Sequence, residues 1–312
     1  MRGNLFWKVA TALSTLLWLL TFLYQQRPTA GVVAELPSVQ TLPATTNAEV
    51  TTIRPKQRTL LIGIMSVAFN WHRRNLIRST YLQEKPADVD LLFIIGKPKW
   101  ENQSSIIRHE QQLYGDLLVL GCEEHMNRGK TYEFFRNTST TFGDPHHKTN
   151  KEGVTYRYLM KSDEDSYIVL RNFSQWVRDL PKNWTYAGIH LTYYGQHYMQ
   201  GRGYLMSMDL TQYIMAHPYA LKHSWGPEDM ITATWVENAS NLTGRNVTWA
   251  SSRHIQQYGK HEYDAKWTPP VGNETLLIHG CKQPERWFKI HRDVQKIRKG
   301  VPIVQPDRNS IE

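Results

Sequence analysis

The chain has 312 residues, 40% of them hydrophobic and 21% charged. That composition gives room for one large domain or two small ones and excludes a wholly disordered chain or a multi-span membrane protein. A net charge of +9 leaves nucleic acid, an anionic membrane or a phosphate-rich ligand open as partner, and two cysteines, Cys122 and Cys281, exclude a disulfide scaffold.

Residues 9–26 carry no charge and are rich in Leu, Trp, Phe and Tyr; Arg2 and Lys8 precede them and Arg27-Pro28 follow. As a helix they would span roughly 27 Å, about the thickness of a thin bilayer. A cleaved signal peptide would have a shorter apolar core and a small-x-small site soon after it, so an uncleaved signal-anchor is the expectation. Asn-x-Ser/Thr triplets begin at Asn102, Asn137, Asn172, Asn183, Asn238, Asn241, Asn246 and Asn273. Chance predicts roughly two, and all eight follow the apolar stretch. The expected layout is therefore a cytoplasmic tail (1–8), a transmembrane anchor (9–26), a Pro/Thr-rich stem (27–58) and a lumenal domain (59–312), which argues against nucleic acid as the partner of the positive charge.

From Thr59 the texture changes. Residues 59–67 form a continuous apolar run that predicts a strand buried on both faces. Helical spacing follows over 70–83, then a second buried strand at 89–95. A polar helix at about 104–114, a short strand at 117–120, a helix at about 128–137 and a strand at 155–161 come next. Strands alternating with helices predict an α/β fold, a Rossmann-type, mostly parallel sheet flanked by helices.

The strand 155–161 runs into Ser162-Asp163-Glu164-Asp165. Two aspartates just past a buried strand offer hard oxygen ligands for a divalent cation with positions left open for a diphosphate. The bare pattern says little, and Asp88-Val89-Asp90 repeats it. Position separates the two: ligands of parallel α/β sheets bind outside the carboxyl ends of strands, and Asp163 and Asp165 leave a strand where Asp88 and Asp90 begin one. The plainer alternative is a cap for a helix at 171–180.

Six segments then resemble, in order, the β1,3-galactosyltransferase family (glycosyltransferase family 31). Arg73-Arg74-Asn75-Leu76-Ile77-Arg78-Ser79-Thr80-Tyr81 is similar to its Arg-Arg-x-x-Ile-Arg-x-Thr-Trp, and Phe93-Ile94-Ile95-Gly96 to its Phe-Leu-Leu-Gly. Asn127-Arg128-Gly129-Lys130-Thr131 resembles Asn-Leu-Thr-x-Lys-Thr, and Tyr158 to Tyr167 resembles Val-Met-Lys-x-Asp-x-Asp-x-Phe. Gly201-Arg202-Gly203-Tyr204 and Pro227-Glu228-Asp229-Met230 resemble the Gly-x-Gly-Tyr and Pro-x-Glu-Asp-Val segments. The resemblance covers about residues 59–238, with a looser tail to 281. One departure falls at Arg202, where family members commonly have Thr in a loop near the donor sugar.

The resemblance implies a GT-A fold and inverting transfer of a hexose, most simply galactose from UDP-galactose, to a glycan hydroxyl, with Mn²⁺ or Mg²⁺. It implies Asp165 as principal metal ligand, Asp163 on the metal or the ribose, and His279 completing the metal shell. Arg74, Arg78 and Lys130 would bind the nucleotide sugar and Asp229 would be the general base. The Golgi membrane, with the domain in the lumen, is the implied location. Transfer of N-acetylglucosamine and a catalytically silent, glycan-binding or chaperone-like relative are the competing readings. For Glu228 and Asp229 the plainer role is to offset a helix dipole. His146-His147 reads as a solvated loop, the aromatic group from Tyr193 to Tyr204 as a partly buried cluster, and the basic tail from Lys282 as a charged helix face.

Overall fold

The computed structural model describes residues 55–257 and 271–301. The expected anchor and all but the last four residues of the expected stem lie outside them. Among the described residues no helix is long and apolar enough to cross a membrane. Strand β1 (Lys56–Met65) starts three residues before the expected Thr59, because its first turn of chain, Lys56-Gln57-Arg58, is polar and stands clear of the core. Helix α1 (Trp71–Arg78) is shorter than the 70–83 periodicity predicts. Thr80 Oγ1 donates to Leu76 O at 2.6 Å and accepts from Trp287 Nε1 at 3.0 Å; such side-chain bonding competes with helix propagation, and a single 3₁₀ turn, Tyr81–Glu84, follows.

The chain then alternates as expected: β2 (Val89–Ile95), α2 (Glu101–Tyr114), β3 (Leu117–Val119), α3 (Lys130–Phe142) and β4 (Val154–Asp163). Next come β5 (Tyr167–Ile168), α4 (Leu170–Arg178), β6 (Thr185–Gly188), the hairpin β7 (His190–Tyr193) and β8 (Gln196–Met199), and β9 (Gly203–Ser207). Helices α5 (Met208–Ala216), α6 (Pro218–Lys222) and α7 (Glu228–Thr243) precede β10 (Thr248–Ser251), β11 (Ile255–Gln257), β12 (Leu277–His279) and α8 (Pro284–Arg298).

Seven strands form the main sheet in the order β10-β6-β9-β4-β1-β2-β3. Only β9 runs against its neighbours, β4 and β6, so the sheet is mostly parallel. Strand β1 is its axis. Leu60, Ile62 and Ile64 face one apolar layer, with Phe173 and Val177 of α4 and Trp287, Ile290 and Val294 of α8. Leu61 and Met65 face the other, with Phe134 and Phe135 of α3 and Trp235 and Val236 of α7. Burial on both faces is what a continuous apolar run demands. Gly63 lets α3 approach this closely: a Cβ there would stand 2.4 Å from the Phe134 ring.

A smaller sheet, β11-β12-β5, lies at the C-terminal end of β4. Strand β12 is antiparallel to β5, with Leu277 opposite Ile168 and Ile278 opposite Tyr167. The next residue of β12, His279, is thereby delivered beside the turn that carries Asp165.

Candidate active site

Asp163 is the last residue of β4 and Asp165 lies in the turn to β5. Cys281 N donates to Asp165 O at 2.9 Å, which fastens that turn to the chain leaving β12. His279 Nε2 consequently stands 3.1 Å from Asp165 Oδ1 and 3.5 Å from Asp163 Oδ2. One donor atom from each of the three residues fits within 4.8 Å of the others. On the far side of the ring, His279 Nδ1 is 2.8 Å from Gln257 Oε1. A carbonyl acceptor there holds a proton on Nδ1, so Nε2 donates to the carboxylates when the ring is protonated and is free to ligate a cation when it is neutral, the usual support of a ligating imidazole.

This donor set fits a divalent cation. Metal–oxygen distances near 2.1 Å put neighbouring octahedral ligands about 3 Å apart, close to the two separations seen here. Two carboxylates and one imidazole suit Mn²⁺, and the shallow placement of all three leaves coordination positions for a ligand. The charges are mutually adjusted. Burial pushes the Asp163 carboxyl up, but Lys161 and His279 outweigh it and hold the pKa at about 2. Burial works to lower the His279 pKa, and the bonds to Asp163 and Asp165 raise it overall.

Lys161, two residues earlier on β4, joins this group to helix α7. Its buried ammonium donates to Asp163 Oδ1 at 2.8 Å, Gly201 O at 2.6 Å and Glu228 Oε1 at 2.6 Å, using all three N–H bonds. Burial opposes its charge, yet the two carboxylates leave its pKa raised. Glu228 also accepts from Tyr204 Oη at 2.6 Å, and burial raises its pKa despite Lys161. Asp229 follows at the α7 N-terminus and stays partly exposed. Its Oδ2 accepts from Gly201 N at 3.0 Å and its Oδ1 from Met230 N at 2.9 Å. Each carboxylate oxygen keeps a further lone pair for a ligand proton. Gly201 sits where these groups converge, and a Cβ on it would come within 2.5 Å of Glu228 Oε1.

The structure thus brings Asp163, Asp165 and His279 together and ties Asp229 to them through Lys161, Glu228 and Gly201. It gives Arg74, Arg78 and Lys130 a different task from the nucleotide contacts that the resemblance implies. All five N–H groups of the buried Arg74 are spent, on both Glu110 oxygens, Ser66 Oγ, Val67 O and Ala68 O. Arg78 pairs with Asp116 at 2.6 Å and Glu110 at 2.8 Å. Lys130 donates to Ser66 O at 2.6 Å and to Glu124, whose other oxygen accepts from Gly96 N at 2.6 Å. These cations shape the loops leaving β1 and β2.

Lys161 and Glu228 are the members that sequence reasoning missed. A lysine inside an otherwise apolar strand needs a carboxylate partner, so Lys161 was a detectable signal; its partner, 67 residues away, was not. The remaining expectations divide. Tyr193 and Tyr194 lie exposed at the tip of the β7–β8 hairpin, whereas Tyr204 is fully buried. His146 is exposed and the basic tail forms α8, as expected.

Parts of the chain are similar to known proteins. Residues 72–193 match the family model described as Galactosyltransferase. A β1,3-galactosyltransferase, pvg3 of Schizosaccharomyces pombe, is 40% identical over 82 residues, covering 25% of this chain and 22% of the relative. The hydroxyproline O-galactosyltransferase GALT2 of Arabidopsis thaliana is 22% identical over 224 residues, covering 64% and 31%. The glycosyltransferase GlyE of Streptococcus pneumoniae TIGR4 superposes with a TM-score of 0.40 at 14% identity, covering 80% of this chain and 66% of that one. Over residues 72–193 the chain is similar to the galactosyltransferase family. It spans between a fifth and a third of the length of the two curated relatives.

Proposed function

We propose that the protein is an inverting hexosyltransferase that moves galactose from UDP-galactose to a glycan hydroxyl, in β1,3 linkage. The observation that carries this reading is the convergence of Asp163, Asp165 and His279 at the C-terminal end of β4, with Asp229 linked to them through Lys161 and Gly201. The family description and the printed names of both curated relatives support galactose as the sugar.

Asp163, Asp165 and His279 would hold Mn²⁺, or Mg²⁺, which supplies Lewis-acid neutralisation of the departing diphosphate. Asp229 takes the proton of the acceptor hydroxyl as its oxygen bonds to the anomeric carbon. The bond from that carbon to the diphosphate breaks in the same displacement, and its electron pair leaves with UDP. One carboxylate suffices for a single inverting step, and such general-base help is typically worth 10²–10⁴-fold. Lys161 keeps the carboxylates of Asp163 and Glu228 from repelling one another and so fixes β4 against α7.

We place the domain in the Golgi lumen behind a single N-terminal anchor. Six of the eight sequon asparagines, Asn102, Asn137, Asn183, Asn241, Asn246 and Asn273, are exposed, in keeping with a glycosylated lumenal surface. The test is UDP release by the full-length protein across a nucleotide-sugar panel, with Mn²⁺ and with EDTA. Turnover of UDP-galactose that depends on Mn²⁺ and rises with a glycan acceptor is expected; turnover indifferent to EDTA would refute the metal role.

A further inference from the structure

The segment between β8 and β9 lies between the acidic group and the base. Gly201 touches Lys161 and Asp229, and Arg202 O accepts from both Ser162 Oγ and Ser166 Oγ at 2.8 Å, the two residues that flank the acidic triplet. The backbone at residue 202 is therefore fixed on the active-site side of β4. Its side chain is anomalous. Arg202 is half-buried, its Nε is fully enclosed, and among the described residues no hydrogen bond or ion pair satisfies the guanidinium. Two further enclosed polar atoms without partners, Gln200 Oε1 and Glu164 Oε2, belong to the same loop and to the acidic triplet. Orphaned polar atoms are uncommon in native interiors, and a buried charge without a counter-ion is costly.

Other arginines in the domain show what an ordinary solution looks like. Arg74 and Arg78 spend their donors on Glu110 and Asp116. Arg202 has no such carboxylate: burial alone dominates and lowers its pKa to about 10, with only the Tyr198 hydroxyl acting against it. The diphosphate still needs a cationic partner besides the metal, and Arg74, Arg78, Lys130 and Lys161 are all committed elsewhere.

We propose that Arg202 is the anion-binding residue of this site, pairing with an oxyanion of the sugar nucleotide, and the diphosphate is the nearest source of one. A planar guanidinium suits paired oxygens better than an ammonium does. The glycines on either side permit the position without constraining it, so the residue at 202 sets which ligand charge the loop accepts. This inference rests on the nucleotide-sugar reading above.

Calorimetric titration of the full-length protein with UDP and Mn²⁺ tests it. Arg202→Gln should weaken UDP binding roughly tenfold to a hundredfold, the loss of a charge-assisted hydrogen bond, and Arg202→Lys should recover part of it. If UDP binds both proteins alike while UDP-glucuronate loses affinity in Arg202→Gln, the anion is a carboxylate on the sugar and Arg202 remains its receptor. Equal binding of both nucleotides by wild type and a normally melting Arg202→Gln overturns the proposal, leaving Arg202 packed against Tyr198 without a ligand. If the glutamine variant melts early, Arg202→Lys decides by the same comparison, with unchanged affinity for both nucleotides overturning the idea. Wild-type protein that binds no UDP removes the nucleotide reading and this proposal together.

Discussion

Asp88-Val89-Asp90 and Asp163-Glu164-Asp165 share a spacing and border the same strand, β1, yet they have opposite fates. Asp90 lies opposite Leu61 and Asp163 opposite Met65, four residues or about 13 Å apart along a strand. At the first triplet every charge is answered from nearby. Asp90 accepts from Tyr156 Oη at 2.6 Å and pairs with Lys85 and Arg58, and Asp88 pairs with Arg178 at 2.8 Å. At the second, the carboxylates face an imidazole and one shared lysine. The β1 and β2 strands begin among residues that pair off their own charges, whereas β4 ends where a turn, β12 and the α7 N-terminus converge. Size of cavity does not mark the difference. A cavity of about 530 Å³ opens near the N-terminal ends of β1 and β4, lined by Gln57, Tyr156, Arg157 and Asn183, and among the described residues no cluster of metal-ligating side chains lies there. What distinguishes the active end is convergence of chain segments, as expected for the carboxyl edge of a parallel sheet.

The sharpest way to break this comparison is to exchange the roles of the two motifs. Asp165→Ala should lower transfer at least about 10⁴-fold, since both metal affinity and leaving-group neutralisation depend on it, and should also remove the Mn²⁺-dependent part of UDP binding. Asp90→Ala should leave turnover within about twofold, provided the assay is run well below the melting temperature. Steady-state rates of the two variants beside the wild type decide the matter. Comparable losses in both would mean that the strand end carries no special chemistry.

Asp229→Asn tests the other half of the site. Its amide oxygen can keep one of the two bonds, from Gly201 N or Met230 N, but the group cannot accept the acceptor's proton. An expected fall of about 10³-fold in kcat with UDP affinity unchanged would separate the base from the metal group. Full activity in this variant would return Glu228 and Asp229 to the plainer role of offsetting a helix dipole.

How much of this was visible in the sequence depends on the range of the interaction. The run 89–95 matches β2 residue for residue, because its apolar positions are buried or half-buried and Asp90 alone interrupts them near the start. The placement of Asp163 and Asp165 at the C-terminal end of a strand was readable too, although β4 runs on to Asp163, two residues beyond the expected end at Lys161. His279 was reachable only through the family resemblance: nothing local reveals that pairing of β12 with β5 carries it to Asp165. Only the family resemblance places Arg74 and Arg78 beside the nucleotide. Their commitment to Glu110 and Asp116, 36 and 38 residues away, exists only in three dimensions.

Lys161 allows the comparison to be sharpened on the side of stability. Its ammonium bonds both to Asp163 at the β4 end and to Glu228, and the Lys161–Glu228 pair is well shielded. Lys161→Met preserves the length of the side chain and deletes the charge, leaving Glu228 and Asp163 without their cation. Breaking a buried pair in this way costs about 3 kcal/mol, visible as a lower Tm in a thermal melt. The companion change Glu228→Gln should cost less on the Lys161→Met background than on the wild type, because the strain between two carboxylates is then already present.

The smallest expected effect belongs to the charge-saturated motif and carries a pH signature. The pKa of Asp90 is lowered; burial pushes it up, but the bonds from Tyr156 and Arg58 and the charge of Lys85 outweigh that. A carboxylate held down in the folded state stabilises it above the unfolded pKa, near 3.9, and that contribution is lost as pH falls through the folded value. Asp90→Asn should therefore cost about 1 kcal/mol near neutral pH, discounted for the partial exposure of Arg58 and Lys85, and progressively less below about pH 4. Melting curves of the two proteins from neutral to acid pH should converge. A gap that widens in acid would mean that Asp90 is held by its shape, as a packed hydrogen-bond acceptor, and that the two triplets differ in more than the direction from which their charges are met.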